Sequence, residues 1–96
     1  MINNISIDEF LKLSNPTSII DVRNSQSFNN NHIPNAINIP YEKLLLYPNN
    51  YLMYGKTYYI YCQKGITSKK IVSILNKMGY STINLNGGYE EWVLKR

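Results

Sequence analysis

Cysteine is almost absent from this sequence, which contains one such residue, Cys62, and one histidine, His32. A single cysteine cannot close an internal disulfide, so the fold needs no oxidising compartment. Zinc sites ordinarily take several protein ligands, and one cysteine with one histidine does not supply them. The sequence therefore argues against a disulfide scaffold and a Cys/His metal centre, and we expect neither metal nor cofactor.

Long apolar runs are absent as well. No stretch of the sequence approaches the roughly 20 apolar residues that a membrane-spanning helix requires. Residues 1–8 lack the basic and apolar segments of a secretory signal peptide. We therefore expect a cytoplasmic protein that does not engage a membrane.

Acidic residues are few: six Asp and Glu stand against ten Lys and Arg, which gives a net charge of +4. That balance suits an anionic substrate or a nucleic acid. The basic residues are scattered, however, and only Lys64, Lys69 and Lys70 cluster. We therefore predict a local field for a small anion and no nucleic-acid partner. The nine tyrosines leave stacking on bases open, but strand and core positions explain most of them.

The 96 residues, 44% of them hydrophobic, are enough for one core, so we expect a single domain over residues 1–96 that acts as a monomer. Runs of β-branched and aromatic residues alternate with helical patterns along the chain. This alternation predicts an α/β layered domain with a mostly parallel sheet. The predicted strands cover residues 5–7, 18–23, 36–40, 58–61 and 82–85.

The predicted helices differ in length. The longer ones cover residues 41–47, 69–78 and 89–94, and a further turn is predicted at 51–54. Two further helices are short. The first contains Phe10 and is capped by Ser6 or Asp8. The second contains Phe28, starts at Asn24 or Ser25, and is followed by a polar loop at residues 29–31. In the helix at 69–78, apolar residues at three- and four-residue steps predict the buried face: Ile71, Val72, Ile74, Leu75 and Met78. Gly79 then follows at the expected C-cap.

Cys62 follows the predicted strand at 58–61 and precedes a short loop and a helix. Backbone N–H groups at the start of a helix are unpaired, and the helix dipole favours negative charge there. Lys64 in the loop acts in the same direction. This environment favours the thiolate, the nucleophilic form of cysteine, and so suits covalent catalysis at sulfur. The alternative is that Cys62 is only a small buried apolar residue.

Four segments of the chain resemble the signatures of the rhodanese-like domains, in their single-domain bacterial form. They are residues 20–23, Phe28 with residues 31–40, residues 62–68, and residues 85–89 with Trp92, in the order and spacing of that family. The resemblance implies a three-layer fold in which helices flank a central, mostly parallel sheet. The chain departs from the family at Asn31 and Asn35, where glycine is usual, and at Thr67, where many active members carry arginine.

The resemblance implies sulfur transfer by a thiosulfate sulfurtransferase. Cys62 would be the catalytic residue, taking a sulfur atom from a small anionic donor such as thiosulfate and becoming a persulfide. A thiol, cyanide or a protein cysteine would then accept that sulfur. The substrate-binding residues would be those of the loop: Gln63, Lys64, Gly65, Ile66, Thr67 and Ser68.

The resemblance also implies roles for individual residues of that loop. The loop N–H groups would stabilise the thiolate and the persulfide anion, Lys64 with help from Lys69 would hold the donor's charge, and Gly65 would permit a tight turn. The hydroxyls of Thr67 and Ser68 either donate hydrogen bonds to substrate or cap the helix.

Other residues of the signatures are predicted to be structural. Asp21 and Arg23 would fix the sheet edge and the neighbouring loops, His32 would be a hydrogen-bonded turn residue, and Trp92 would belong to the core. Gly87 and Gly88 make too weak a pattern for a phosphate loop, because no P-loop lysine accompanies them.

Of three rival functions, the sequence argues against a phosphatase and leaves a persulfide carrier and an inert regulatory domain open. The cell-cycle phosphatases with the same fold require an arginine that clamps phosphate, but Ser68 stands at that position and the chain has no arginine between Arg23 and Arg96. A persulfide carrier would pass sulfur to a protein partner with little free turnover. An inert regulatory domain would form no persulfide.

Overall fold

The computed structural model describes residues 3–96, which form five strands and five helices. The strands are β1 Asn4–Ile5, β2 Ile19–Asp21, β3 Ala36–Asn38, β4 Thr57–Tyr61 and β5 Ser81–Leu85. The helices are α1 Ile7–Leu11, α2 Ser25–Asn30, α3 Tyr41–Leu46, α4 Ile66–Lys77 and α5 Gly88–Lys95, with a 3₁₀ turn at Pro48–Asn50. No helix among residues 3–96 is long and apolar enough to cross a membrane.

The strands form one sheet in the order β1-β5-β4-β2-β3, and every pair in it is parallel. β4 lies at the centre, with Ile60 opposite Ile20 of β2 on one side and Asn84 of β5 on the other. Parallel strands need crossovers, and the helices that supply them cover the sheet. The predicted α/β class with a central parallel sheet between helices is confirmed.

Side chains that alternate along the strands supply two cores, one on each face of the sheet. On one face Ile20, Ile60 and Cys62 pack with Leu44 of α3 and with Ile71, Val72 and Leu75 of α4. On the other face Ile19, Tyr61 and Leu85 pack with Ile7 and Phe10 of α1 and with Trp92 of α5. The assignment of Trp92 to the core is confirmed, and Cys62 faces α4.

Helix boundaries differ from the predictions where a side chain or a special backbone angle decides them. α2 starts after Asn24, which caps it by accepting a hydrogen bond from Ser27 N–H at 2.8 Å. It continues through Asn29 and Asn30, which were predicted as loop, and its last turn closes with the hydrogen bond from Asn31 N–H to Ser27 C=O at 3.2 Å. The predicted turn at 51–54 is wrong. The turn lies at Pro48–Asn50, where the fixed φ of Pro48 suits the first helical position.

The start and the buried face of α4 also differ from the prediction. The helix begins at Ile66 rather than at Lys69, because Gly65 adopts a φ of +87° and ends the loop there. Ile74 and Met78, which were predicted on its buried face, are exposed. The buried residues of α4 are Ser68, Ile71, Val72 and Leu75. The earlier start therefore brings Ser68 onto the face that meets the sheet.

The two asparagines that replace the glycines usual in the family are accommodated in different ways. Asn35 adopts a φ of +71°, in the left-handed region that asparagine tolerates better than most residues. Asn31 has a φ of −170°, which is extended backbone that any residue adopts. The substitution at Asn31 therefore imposes no backbone strain.

Candidate active site

A cavity of about 890 Å³ opens where the loops after β2 and β4 meet. β2 and β4 are neighbours, but β2 leads to β3 on one side and β4 leads to β5 on the other. Ligands of parallel α/β sheets bind at such a divergence, outside the carboxyl ends of the strands. The residues that line the cavity are Val22, Arg23, Asn24, Ser25, Ser27, Pro40, Tyr41, Glu42, Cys62, Gln63, Lys64, Ile66 and Thr67.

Cys62 lines this cavity, and its sulfur accepts two backbone hydrogen bonds. Gly65 N–H donates to it at 3.1 Å and Ser68 N–H donates to it at 3.3 Å. Cys62 as a residue is 7% exposed, so it is largely shielded although it borders the cavity. These amides belong to the loop end and the first turn of a 12-residue helix, whose dipole favours negative charge at that end. Two hydrogen-bond donors and the positive end of a helix dipole therefore meet at the sulfur.

The loop presents its N–H groups to the sulfur because α5 binds its carbonyl groups from the other side. Tyr89 N–H donates to Cys62 C=O at 2.9 Å, and Glu90 N–H donates to Gln63 C=O at 3.0 Å. These are orphan donors of the first turn of α5, which would otherwise lack partners. The sequence indicated no role for this helix end, because the contact joins segments 27 residues apart or more.

Two glycines allow the approach of α5 to the loop. A Cβ on Gly88 would stand 2.4 Å from Cys62 O and 2.8 Å from Gly65 N, both backbone atoms. A Cβ on Gly65 would stand 2.8 Å from Gly87 N. Gly87 and Gly88 are therefore not a phosphate loop but the contact surface on which the Cys62 loop rests.

The six predicted substrate-binding residues fall into two groups. Gln63, Lys64, Ile66 and Thr67 line the cavity. Gly65 and Ser68 are buried and contact the sulfur from within the protein. Neither Thr67 nor Ser68 caps the helix, since the N-cap is Gly65. The Ser68 hydroxyl instead donates a hydrogen bond to Asn84 Oδ1 at 2.5 Å.

Arg23 and Asp21 form a buried ion pair beside the cavity. The Arg23 Nη2 and Asp21 Oδ2 atoms are 2.7 Å apart, with side chains 7% and 0% exposed. Arg23 also donates to the backbone carbonyl of Asn31 at 2.7 Å and to Gln63 Oε1 at 3.1 Å. Burial lowers the pKa of Arg23, but the hydrogen bond and charge of Asp21 raise it by more. Arg23 therefore keeps its charge, and its hydrogen bond to Gln63 ties the loops after β2 and β4 together.

Removing the cation of this pair should destabilise the fold strongly. In Arg23→Met the carboxylate of Asp21 stays buried without its partner, at a cost of about 3–5 kcal/mol in the free energy of unfolding. Urea denaturation followed by circular dichroism measures this loss. The matched control is Lys95→Met, which breaks the exposed contact of Lys95 with Asp8 and should leave the midpoint nearly unchanged. Equal losses in the two variants would contradict the structural role of Arg23.

His32 contributes to the turn that precedes β3. Its Nδ1 lies 2.9 Å from the Ile33 carbonyl oxygen, and its ring stacks on Phe28 with the centroids 4.0 Å apart. Its predicted role as a hydrogen-bonded turn residue is confirmed. Among residues 3–96, no three His, Cys, Asp or Glu side chains come together as a possible metal site.

Sequence reasoning missed Asn84, which is 1% exposed and lies on β5 beside the Cys62 loop. The available signal was the polar amide of Asn84 within a predicted strand, because a buried amide must find hydrogen-bond partners. It also missed Tyr41 and Glu42 at the start of α3, which line the cavity opposite the loop. Their place at the cavity depends on how α3 packs beside the loop after β4, which local sequence does not reveal.

Comparison with known proteins gives concordant matches. The family model for the Rhodanese-like domain matches residues 6–95. An uncharacterised Bacillus subtilis protein, YqhL, is 35% identical over 86 residues, covering 88% of this chain and 68% of that protein. The thiosulfate sulfurtransferase GlpE of Shewanella oneidensis is 29% identical over 91 residues, covering 92% and 89% respectively. The crystal structure of a rhodanese-like domain protein from Staphylococcus aureus superposes with a TM-score of 0.83 at 33% identity, over 95% of this chain and 91% of that one.

Proposed function

Because the chain belongs to the rhodanese-like domain family, we propose that it is a thiosulfate sulfurtransferase that carries sulfur as a persulfide on Cys62. The observation that carries this proposal is the pair of hydrogen bonds from Gly65 and Ser68 N–H to the Cys62 sulfur at the wall of an open cavity. The similarity to the GlpE thiosulfate sulfurtransferase supports the choice of donor.

In the first half of the reaction, the Cys62 thiolate attacks the outer sulfur of thiosulfate. A new S–S bond forms to Cys62, the bond between the two sulfurs of thiosulfate breaks, and sulfite leaves with the electron pair. The product is a Cys62 persulfide with its negative charge on the terminal sulfur. Lys64 lines the cavity and supplies positive charge for the donor, whereas the charge of Arg23 is already paired with Asp21.

In the second half, an acceptor attacks the terminal sulfur and Cys62 leaves as the thiolate. Cyanide would become thiocyanate, and a thiol would become a persulfide. The cavity is wide enough for more than cyanide, so a cysteine presented by a protein is also an acceptor of suitable size. The substrate-binding roles of Gln63, Lys64, Ile66 and Thr67 belong to this proposal, as do the single domain, the monomeric state and the cytoplasmic location.

Intact-mass spectrometry after incubation with thiosulfate tests the proposal. We expect a gain of about 32 Da, one sulfur atom, because covalent catalysis requires this intermediate. Addition of cyanide should return the original mass and release one equivalent of thiocyanate. A mass gain with no turnover would favour a persulfide carrier instead. No mass gain at saturating thiosulfate would reject thiosulfate as the donor.

A further inference from the structure

Asn84 orients the hydroxyl of Ser68 through a buried hydrogen bond. Its Oδ1 accepts a hydrogen bond from Ser68 Oγ at 2.5 Å, and only the hydroxyl can be the donor because an amide oxygen carries no hydrogen. Its Nδ2 donates to Asn4 Oδ1 and to Asn86 Oδ1, each at 3.2 Å. Because its nitrogen faces the side-chain oxygens of Asn4 and Asn86, the amide presents its carbonyl oxygen to Ser68.

The same Ser68 hydroxyl touches the reactive sulfur. Ser68 Oγ lies 3.2 Å from Cys62 Sγ, and Ser68 is fully buried. A hydroxyl has one hydrogen and two lone pairs. While Cys62 is a thiol, every group is satisfied: the S–H donates to Ser68 Oγ, and the Oγ–H donates to Asn84. When Cys62 is a thiolate, the sulfur and Asn84 Oδ1 compete for one hydrogen.

We propose that Asn84 is a positioning residue that controls the Cys62 thiolate through the Ser68 hydroxyl. By drawing the hydroxyl hydrogen away from the sulfur, Asn84 opposes the thiolate, whereas the Gly65 and Ser68 amides favour it. An unpaired buried Asn84 oxygen would be costly, so the hydroxyl turns to the sulfur only when the sulfur is charged.

The step of the reaction at which Asn84 acts rests on the proposed function. The negative charge resides on Cys62 Sγ before attack on the donor and on the terminal sulfur afterwards. The Ser68 hydrogen is therefore needed at Sγ only in the thiolate, and it returns to Asn84 in the persulfide. Asn84 thus favours the thiol and the persulfide over the free thiolate, which makes Cys62 a slower leaving group when an acceptor attacks.

Alkylation of Cys62 by iodoacetamide across the range of about pH 5 to about pH 9 tests this assignment, since only the thiolate reacts. Asn84→Leu removes the competing oxygen at similar volume and leaves the Ser68 hydrogen free for the sulfur. We expect alkylation on the rising part of the profile to be faster by about tenfold, which corresponds to one hydrogen bond to a charged group. Asn84→Val, with a side chain that strands favour, should give the same shift.

The decisive comparison repeats Asn84→Leu in a protein that lacks the Ser68 hydroxyl. In the Ser68→Ala background, Asn84→Leu should no longer alter the profile, because the effect passes through the hydroxyl. The matched control is Asn76→Leu, which removes another amide hydrogen-bonded to β5, about two helical turns from Ser68, and should leave the profile unchanged. Thermal unfolding establishes that each variant is folded.

Two results would overturn the assignment: an unchanged profile in both Asn84→Leu and Asn84→Val, or an equal shift with and without the Ser68 hydroxyl. Alkylation needs no sulfur donor, so it decides the role of Asn84 even if thiosulfate never loads Cys62. Conversely, a gain of one sulfur in the wild type supports the proposed function whatever the alkylation profile of Asn84→Leu.

Discussion

Cys62→Ser is expected to lose at least ~1,000-fold in sulfur transfer from thiosulfate to cyanide and to show no gain of sulfur by mass, because removal of a nucleophile leaves only binding and background reaction. The serine hydroxyl is uncharged at neutral pH and cannot form the persulfide. The fold should survive, since a hydroxyl can accept the same hydrogen bonds from Gly65 and Ser68 N–H. Thiocyanate formation and intact mass measure the two losses.

The matched control moves the single thiol of the chain instead of deleting it. Ser73 lies on the exposed side of α4, so Cys62→Ser combined with Ser73→Cys places one thiol on the same helix without the loop amides. We expect this variant to remain as inactive as Cys62→Ser. Sulfur loading at the relocated thiol at the wild-type rate would mean that the loop environment contributes nothing.

Gly88→Ala should give the second large effect, a loss of about 2–5 kcal/mol in the free energy of unfolding. Alanine is disfavoured in the left-handed backbone conformation of this position, and its Cβ would overfill the contact between α5 and the loop. Gly88 has a φ of +63°, and its Cβ would approach Cys62 O, Gly65 N and Gln63 O, all at 2.9 Å or less. All three are backbone atoms of the active-site loop, so either the loop or α5 must move. The amides that meet the Cys62 sulfur would move with the loop, and sulfur loading should fall as well.

Gly55→Ala is the control that separates the cost of left-handed backbone from the cost of the close contact. Gly55 has a φ of +84°, but a Cβ there meets nothing within 4 Å, so this variant carries the backbone cost alone, about 1–2 kcal/mol. Urea denaturation compares the two variants, and intact mass after thiosulfate compares their loading. Gly55→Ala should load normally. If Gly88→Ala were no less stable than Gly55→Ala and loaded sulfur normally, the contact between α5 and the loop would not support the site.

The largest unresolved choice in the sequence concerned the hydroxyls of Thr67 and Ser68, which could serve substrate or cap the helix. Neither caps it, because Gly65 occupies the N-cap. Thr67 lies at the cavity, whereas Ser68 is buried against Asn84. One residue of difference on a helix rotates a side chain by about 100°. The position of the helix start therefore decided which hydroxyl meets the sulfur.

The sequence by itself determined the features that depend on neighbouring residues. Strand and helix patterns follow from side-chain periodicity, and they predicted the α/β class, the number of strands and the place of Cys62 between β4 and α4. The first strand was placed wrongly in part: it covers Asn4–Ile5, and Ile7 belongs to α1, because Ser6 caps that helix. The chemistry of a lone cysteine just before a helix can also be predicted from neighbouring residues. The family can be recognised in the same way, because its four signatures are short segments in a fixed order.

Only the tertiary structure decided the contacts between distant segments. Arg23 reaches Gln63 across 40 residues, and Ser68 meets Asn84 across 16. Gly88, which follows β5, supports the Cys62 loop, which precedes α4. These contacts exist because the sheet order places β5 and β2 on either side of β4. Periodicity indicates which face a residue occupies but not which strand lies beside it, so the surroundings of the sulfur appeared only once the sheet was assembled.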